Sequence, residues 1–238
     1  MLAAEGRVAI YAAPLPEDPL WAFGSSVIGY DAATGEAVSR SPPLGLTLEH
    51  WAALTADPRH YGFHATLKAP FRLAENAKPQ HLSEAVRGFC EGGRALTPFA
   101  LEVRMIGDFL ALVPVSAPDD LDPFAASVVT GFDEFRAPIS PAERERRLAA
   151  ALSERQIRNL DQWGYPYVLE DFRFHMSLTG KVRDEGLRHE LKEALAESFH
   201  RETGGAAFAL DALVLFTQKA RGEAFRVHER HAMNGGCA

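Results

Sequence analysis

Apolar positions along the chain fall into two rhythms, and the rhythm changes wherever Gly, Pro or Asp cluster. A period of two marks strands, and recurrence at i, i+3, i+4 and i+7 marks helices. Strands are predicted at Arg7–Ala13, ended by Pro14 and Pro16, and near Ser26–Tyr30, where Gly24, Ser25 and Gly29 argue against a helix. Residues 31–43, rich in Gly, Pro and Ser, read as a loop. Thr47 is placed to cap a short helix through Leu54, which Asp57-Pro58 ends. Tyr61–Lys68 alternates as a strand. Pro79 opens a helix with Leu82, Ala85, Val86 and Phe89 on one face, stopped by Gly92-Gly93. Phe99–Val103 and Phe109–Val113 read as a hairpin turning at Gly107-Asp108. Asp119–Phe135 carries Phe124, Val128, Phe132 and Phe135 at helical spacing. Ser140-Pro141-Ala142-Glu143 is a capping box opening a further helix to about Trp163, ended by Gly164. After a strand at Arg173–Thr179, Asp184 caps a helix whose Leu187, Leu191, Ala194 and Leu195 share a face, and Gly204-Gly205 stops it. Phe208–Phe216 and Ala224–Val227 are the last strands, and the tail from about His231 is expected to fray.

The pattern repeats. Each half runs strand with histidine, amphipathic helix, Gly-Gly stop, strand opening Phe-Ala-Leu, return strand. Gly92 lies 28 residues after His64 and Gly204 lies 29 after His175; Phe99 lies 35 after His64 and Phe208 lies 33 after His175. Internal repetition outranks single motifs as a fold signal. It predicts an α+β fold, two related lobes about a pseudo-twofold axis. Two antiparallel sheets would face a central cleft with helices outside. The whole chain, 1–238, reads as one bilobal domain: a first repeat at about 59–115, inserted helices at about 119–163 and a second repeat at about 171–230.

The two histidine strands carry the chemistry. In the first, His64, Thr66 and Lys68 share one face, while Phe63, Ala65 and Leu67 share the other. In the second, Arg173, His175, Ser177 and Thr179 point one way, and Phe174, Met176 and Leu178 the other. A lone His-x-Thr/Ser segment is weak evidence, since histidines are often merely hydrogen-bonded beside a core. Repetition changes that, because a pseudo-twofold would bring two imidazoles to opposite sides of one substrate atom. One neutral imidazole then takes a proton from the attacking oxygen while the opposite imidazolium gives one to the leaving oxygen. Phosphodiester cleavage needs both services, and the Thr66 and Ser177 hydroxyls would donate to the non-bridging oxygens.

Composition sets the surroundings. With 47% hydrophobic and 24% charged residues, the 238-residue chain has the balance of a soluble globular protein. Its net charge of −7 offers no global field for a polyanion, so long nucleic acid is not the default partner. The run Glu143-Arg144-Glu145-Arg146-Arg147 interleaves acids with its arginines and reads as a solvated helix face. Val8–Ala13 is too short an apolar run for a signal peptide or a membrane span. Cys90 and Cys237 form no disulfide framework or zinc spacing, so a reduced cytoplasm is the expected home.

The histidine motifs and their context resemble the two-histidine (2H, LigT-like) phosphoesterase superfamily. His64-Ala65-Thr66 and His175-Met176-Ser177 match its two His-x-Thr/Ser motifs. The wider segments Tyr61–Phe71, Asp133–Pro138, Trp163–Val168 and Phe172–Thr179 are similar to a bacterial branch named for phosphonate metabolism. The resemblance implies catalysis by His64, Thr66, His175 and Ser177 with no metal and no cofactor. It also implies a small cyclic phosphodiester as substrate: a nucleotide 2′,3′-cyclic phosphate, or a ribose cyclic phosphate released by carbon–phosphorus cleavage. The spacing of 111 positions from one histidine to the other is long for the family, owing to the inserted helices.

Further substrate-binding candidates each have a plainer reading. Tyr11 is a ligand contact or a core tyrosine with its hydroxyl at the edge. Lys68 and Arg173 either hold phosphate as point charges or end their strands in solvent. Tyr61, Tyr165 and Tyr167 flank a sugar or base, or pack in loops. Arg136 reaches a second phosphate or pairs with an acid. His60 and His64 are four apart, but Gly62 and the strand reading argue against a helical metal pair; His228 and His231 read as surface residues. Two other functions compete, an RNA-end 2′,3′-cyclic phosphodiesterase or ligase and a non-catalytic module that grips phosphate. Sequence leaves the oligomeric state open.

Overall fold

The first strand, β1 (Arg7–Ala12), is buried at every position after Arg7, as its run of Val, Ala, Ile and Tyr requires of a strand covered on both faces. The structure, a computed structural model, describes residues 6–205 and 207–234. Next come α1 (Pro19–Ile28) and a short ribbon of β2 (Tyr30–Asp31) with β3 (Glu36–Ala37). The helices α2 (Leu48–Leu54) and α3 (Ala56–Tyr61) lead into β4 (Ala65–Phe71), α4 (Pro79–Gly92) and the hairpin β5 (Leu101–Ile106) and β6 (Phe109–Pro114). The inserted segment holds α5 (Leu121–Gly131), α6 (Pro141–Leu148) and α7 (Glu154–Trp163). The chain closes with β7 (Met176–Ser177), α8 (Glu185–Thr203), β8 (Ala212–Gln218) and β9 (Arg226–Ala232).

Several local predictions are corrected. Residues 26–28 are helical, and of the predicted strand only Tyr30 pairs, in β2: Asp18 caps α1 by accepting from the Leu20 amide, Pro19 sits in its first turn, and Gly29 at φ 70° closes it. Gly24 is tolerated inside this helix because it lies flat against the Phe63 ring, where any Cβ would overlap it. Asp57-Pro58 does not stop the chain; Pro58 is absorbed into the first turn of α3. Tyr61 therefore ends a helix, Gly62 at φ 81° makes the turn, and the strand begins only at Ala65. The long helix expected to Trp163 is broken into α6 and α7, because Ser153 starts a new helix through a capping box with Gln156. The second histidine strand shortens to Met176–Ser177. The tail does not fray from His231, since β9 continues to Ala232 and Asn234 bridges to Arg94; Cys237 lies outside the described residues. Cys90 is a buried free thiol in α4.

The α+β class and the antiparallel pairing hold, but the two sheets are continuous. The order is β5-β6-β7-β4-β1-β8-β9, joined at its waist by one residue pair between β4 and β7, Ala65 opposite Met176. The sequence repeats and the spatial halves also differ. The hairpin β5–β6, which follows the His64 strand in the chain, pairs with β7 of the His175 segment. Strand β8, from the second repeat, joins β1 beside β4. Helix α4 packs on β8 and β9, while α8 packs on β5 and β6. Each repeat thus gives its hairpin to the other half, and its helix packs on the hairpin it receives in return.

Candidate active site

The pair Ala65–Met176 sets the site. Both side chains are fully buried, so their neighbours in each strand face the other way. Antiparallel register then places His64 across from Ser177, and Thr66 across from His175. All four line one cavity of about 490 Å³.

Each imidazole is fixed in the same way. His64 Nδ1 is 2.9 Å from the Gly62 carbonyl oxygen, and His175 Nδ1 is 2.8 Å from that of Arg173. A carbonyl oxygen only accepts, so Nδ1 of each neutral ring carries the proton and Nε2 keeps its lone pair. The Thr66 hydroxyl donates to His64 Nε2 at 3.0 Å. Tyr11, paired with Thr66 across β1 and β4, stacks on the His64 ring at 3.5 Å and 16°. Among the described residues, His175 meets only the tilted Phe109 ring, 5.7 Å away.

Tyr11 and Tyr61 line this cavity too, and Tyr61 stacks on Phe225 at 5.4 Å. Tyr167 and Arg173 line an adjoining cleft of about 540 Å³, walled by Phe109, Tyr165 and Phe172 and shared with the first cavity at Thr66, Phe109, Tyr165 and His175. Two candidates are elsewhere. β-bulges in the β1–β4 pairing set Tyr11 opposite Thr66 but Ile10 opposite Lys68, so the alternation slips at Leu67. Lys68 is thereby turned inward, 3% exposed, and donates to the Val129 carbonyl at 2.8 Å and to Asp133 at 3.1 Å. Arg136 clamps the same Asp133 carboxylate at 2.7 and 3.1 Å and donates to the Gln162 carbonyl. Lys68 thus ties β4 to the inserted segment, and Arg136 ties Asp133 to the end of α7 within that segment. His231 is also no free surface group: its side chain is 12% exposed and lies 3.1 Å from Glu229.

Sequence reading missed the arginines. Arg7 and Arg147 line the histidine cavity, and with Tyr61 they border a third chamber of about 560 Å³. That chamber adds Arg72, Arg146 and Arg221 against the single carboxylate of Glu143. Arg147, from the run read as a solvated helix face, lies over the Tyr165 ring at 5.0 Å.

The family described as a protein of unknown function, DUF1045, matches residues 66–226. The chain belongs to the DUF1045 family. The matched stretch contains Thr66, His175 and Ser177 and begins two residues after His64. Among curated proteins, this DUF1045 chain is 36% identical over 231 residues to ribose 1,5-bisphosphate phosphokinase PhnN of Janthinobacterium, and 33% identical over 229 residues to that of Laribacter hongkongensis. Those alignments cover 96% and 93% of the chain but 51% and 50% of the relatives, so it spans about half of their length. Among solved structures, a conserved protein of unknown function from Agrobacterium tumefaciens aligns over 95% of the chain and 88% of its own, at 12% identity and a TM-score of 0.46. Usb1 of Kluyveromyces marxianus aligns over 95% and 99%, at 11% identity and a TM-score of 0.40. Likeness that distant says nothing about activity.

Electrostatics distinguishes the two histidines of the DUF1045 site. Burial is the main cause that lowers His64 to about 3; its Gly62 bond opposes this and the neighbouring His175 adds to it. His175 is lowered by burial as well, against its bond to the Arg173 carbonyl. Both rings are therefore neutral bases when the cavity is empty at neutral pH. An arriving anion favours imidazolium and would raise both. Among the described residues no three His, Cys, Asp or Glu side chains gather as metal ligands, and no helix is long and apolar enough to cross a membrane.

Proposed function

We propose that this chain is a metal-independent 2H phosphoesterase of the cytoplasm that hydrolyses a small cyclic phosphodiester of ribose or a nucleotide. One observation carries the reading: two His–hydroxyl pairs converge in one cavity, and each imidazole is held through Nδ1 so that Nε2 is the reacting nitrogen. His64, the deeper and more strongly depressed base, takes the proton from water as its oxygen bonds to phosphorus. His175, protonated when the phosphate arrives, gives its proton to the ring oxygen as that P–O bond breaks. The product is a ring-opened phosphomonoester, and the proton on His64 returns through solvent to His175. As substrate and water enter, the Thr66 hydroxyl turns from His64 Nε2, freeing that lone pair for the water proton, and Thr66 and Ser177 donate to the non-bridging oxygens. Each well-placed acid or base contributes about 10²–10⁴-fold.

The arginine chamber supports a substrate that carries a second phosphate beyond the ring. The name of the relatives, ribose 1,5-bisphosphate phosphokinase PhnN, points to the same kind of phosphorylated sugar. The test is a screen of 2′,3′-cyclic nucleotides and ribose cyclic phosphates, each with and without EDTA. Chelator-insensitive ring opening is expected, with greater kcat/KM for substrates bearing the second phosphate. Tight binding without turnover would leave a phosphate-gripping module instead. Salt-sensitive binding and processing of RNA ends would favour an RNA-end phosphodiesterase.

A further inference from the structure

Two polar atoms of cavity-lining residues are buried with no hydrogen-bond partner among the described residues: the Tyr11 hydroxyl and Arg147 Nε. Buried polar groups are nearly always paired, so an orphan calls for an explanation. Tyr11 is 0% exposed, and its ring is wedged between His64 at 3.5 Å and Phe216 at 4.9 Å, which leaves the hydroxyl no other orientation to adopt by turning the ring away. Arg147 reaches the cavity from α6 in the inserted segment. Its guanidinium is steadied over Tyr165 at 5.0 Å and by Glu143 at 3.4 Å from its terminal nitrogen, contacts that leave Nε unused. A guanidinium nitrogen only donates. Two orphan donors on the walls of one cavity fit a group that only accepts, and the non-bridging oxygens of a phosphodiester are such a group.

We propose that Tyr11 and Arg147 are catalytic residues, donating through Oη and Nε to the non-bridging oxygens of the scissile phosphate. The inserted helical segment then completes the histidine site as well as walling it. This rests on the phosphodiesterase reading. The charge on those oxygens is redistributed as the water oxygen bonds and the ring oxygen leaves, so donors held in place beforehand act most strongly on the transition state.

The experiment compares variants on the cyclic phosphodiester that the wild-type enzyme turns over fastest. Tyr11→Phe keeps the ring and its stack and removes only the hydroxyl; kcat and kcat/KM are expected to fall together by about tenfold. Arg147→Gln is expected to lose about 100-fold, and Arg147→Lys, which keeps charge without Nε, recovers little of it. The double variant should lose less than the product of the two, because both donors serve one phosphoryl group. The alkaline limb of the pH profile stays in place, since neither change acts through a histidine. Circular dichroism melts run alongside show whether Arg147 variants fold. Tyr11→Phe and Arg147→Gln within twofold of wild type would overturn the proposal; if Arg147→Gln does not fold, Tyr11→Phe within twofold does so alone. An inactive wild-type enzyme would instead refute the phosphodiesterase reading beneath it.

Discussion

The two halves of the site are near copies in sequence and unlike in surroundings. His64 precedes a seven-residue strand, lies under a stacked tyrosine and already receives the Thr66 hydroxyl on Nε2. His175 precedes a two-residue strand, meets one tilted phenylalanine and opens onto both the histidine cavity and the aromatic cleft. Repetition supplied two equivalent imidazoles, and packing made them inequivalent. When two titratable groups share a site, the environments that push them apart assign the acid and the base. In the proposed mechanism the buried, stacked ring is the base and the more open ring is the acid.

The largest expected effect tests that division directly. His64→Ala and His175→Ala should each lose about 10²–10⁴-fold in kcat. Their profiles of kcat/KM against pH should differ, however. In the wild-type enzyme the acid loses its proton as pH rises through the lowered value of His175, so the alkaline limb begins below 6.5. His64→Ala should keep that limb and His175→Ala should abolish it; the opposite pattern would exchange the roles. A smaller effect reads the same asymmetry through stability. Between the ordinary histidine value of 6.5 and about 3, the unfolded chain binds a proton at His64 that the folded chain does not. Stability therefore falls on acidification, by up to about 1.4 kcal/mol per pH unit for this one group. Thermal melts across that range should show a shallower slope for His64→Asn. The smallest effect on catalysis belongs to Lys68→Met. It should cost about 1–2 kcal/mol in denaturant unfolding, with Asp133 still held by Arg136, and leave kcat/KM within twofold.

The histidine pair is legible in the sequence because it rests on alternation inside a repeat, and the alternation holds where it matters, from His64 to Thr66 and from His175 to Ser177. What escaped has identifiable causes. α1 was masked by Gly24, which reads as a helix breaker and is there so that the helix can touch Phe63. Lys68 was assigned to the catalytic face by counting in twos, and a bulge at Leu67 breaks the count. Arg136 was open between a phosphate and an acid, and Asp133 decides it. Arg7 and Arg147 belong to no motif; they reach the cavity from β1 and α6, elements far apart in sequence, and only tertiary structure brings them together. One signal was present and misread. The acids among Glu143–Arg147 point to a solvated face, yet Arg147 is one side chain of that helix that turns toward the site.

The exchanged hairpins bear on how the molecule comes to exist at all. β1 cannot be covered on both edges until β8 arrives, and the pair Arg7–Gln218 closes a loop of nearly the whole chain. The β5–β6 hairpin likewise waits for Met176 and Ser177 before it joins the sheet. Such distant pairings carry a large entropic cost before any contact rewards them, which slows folding. Neither half could therefore be lifted out as an ancestral module in its present form. During synthesis the first half must stay unfinished, with a strand edge exposed, until the second has left the ribosome.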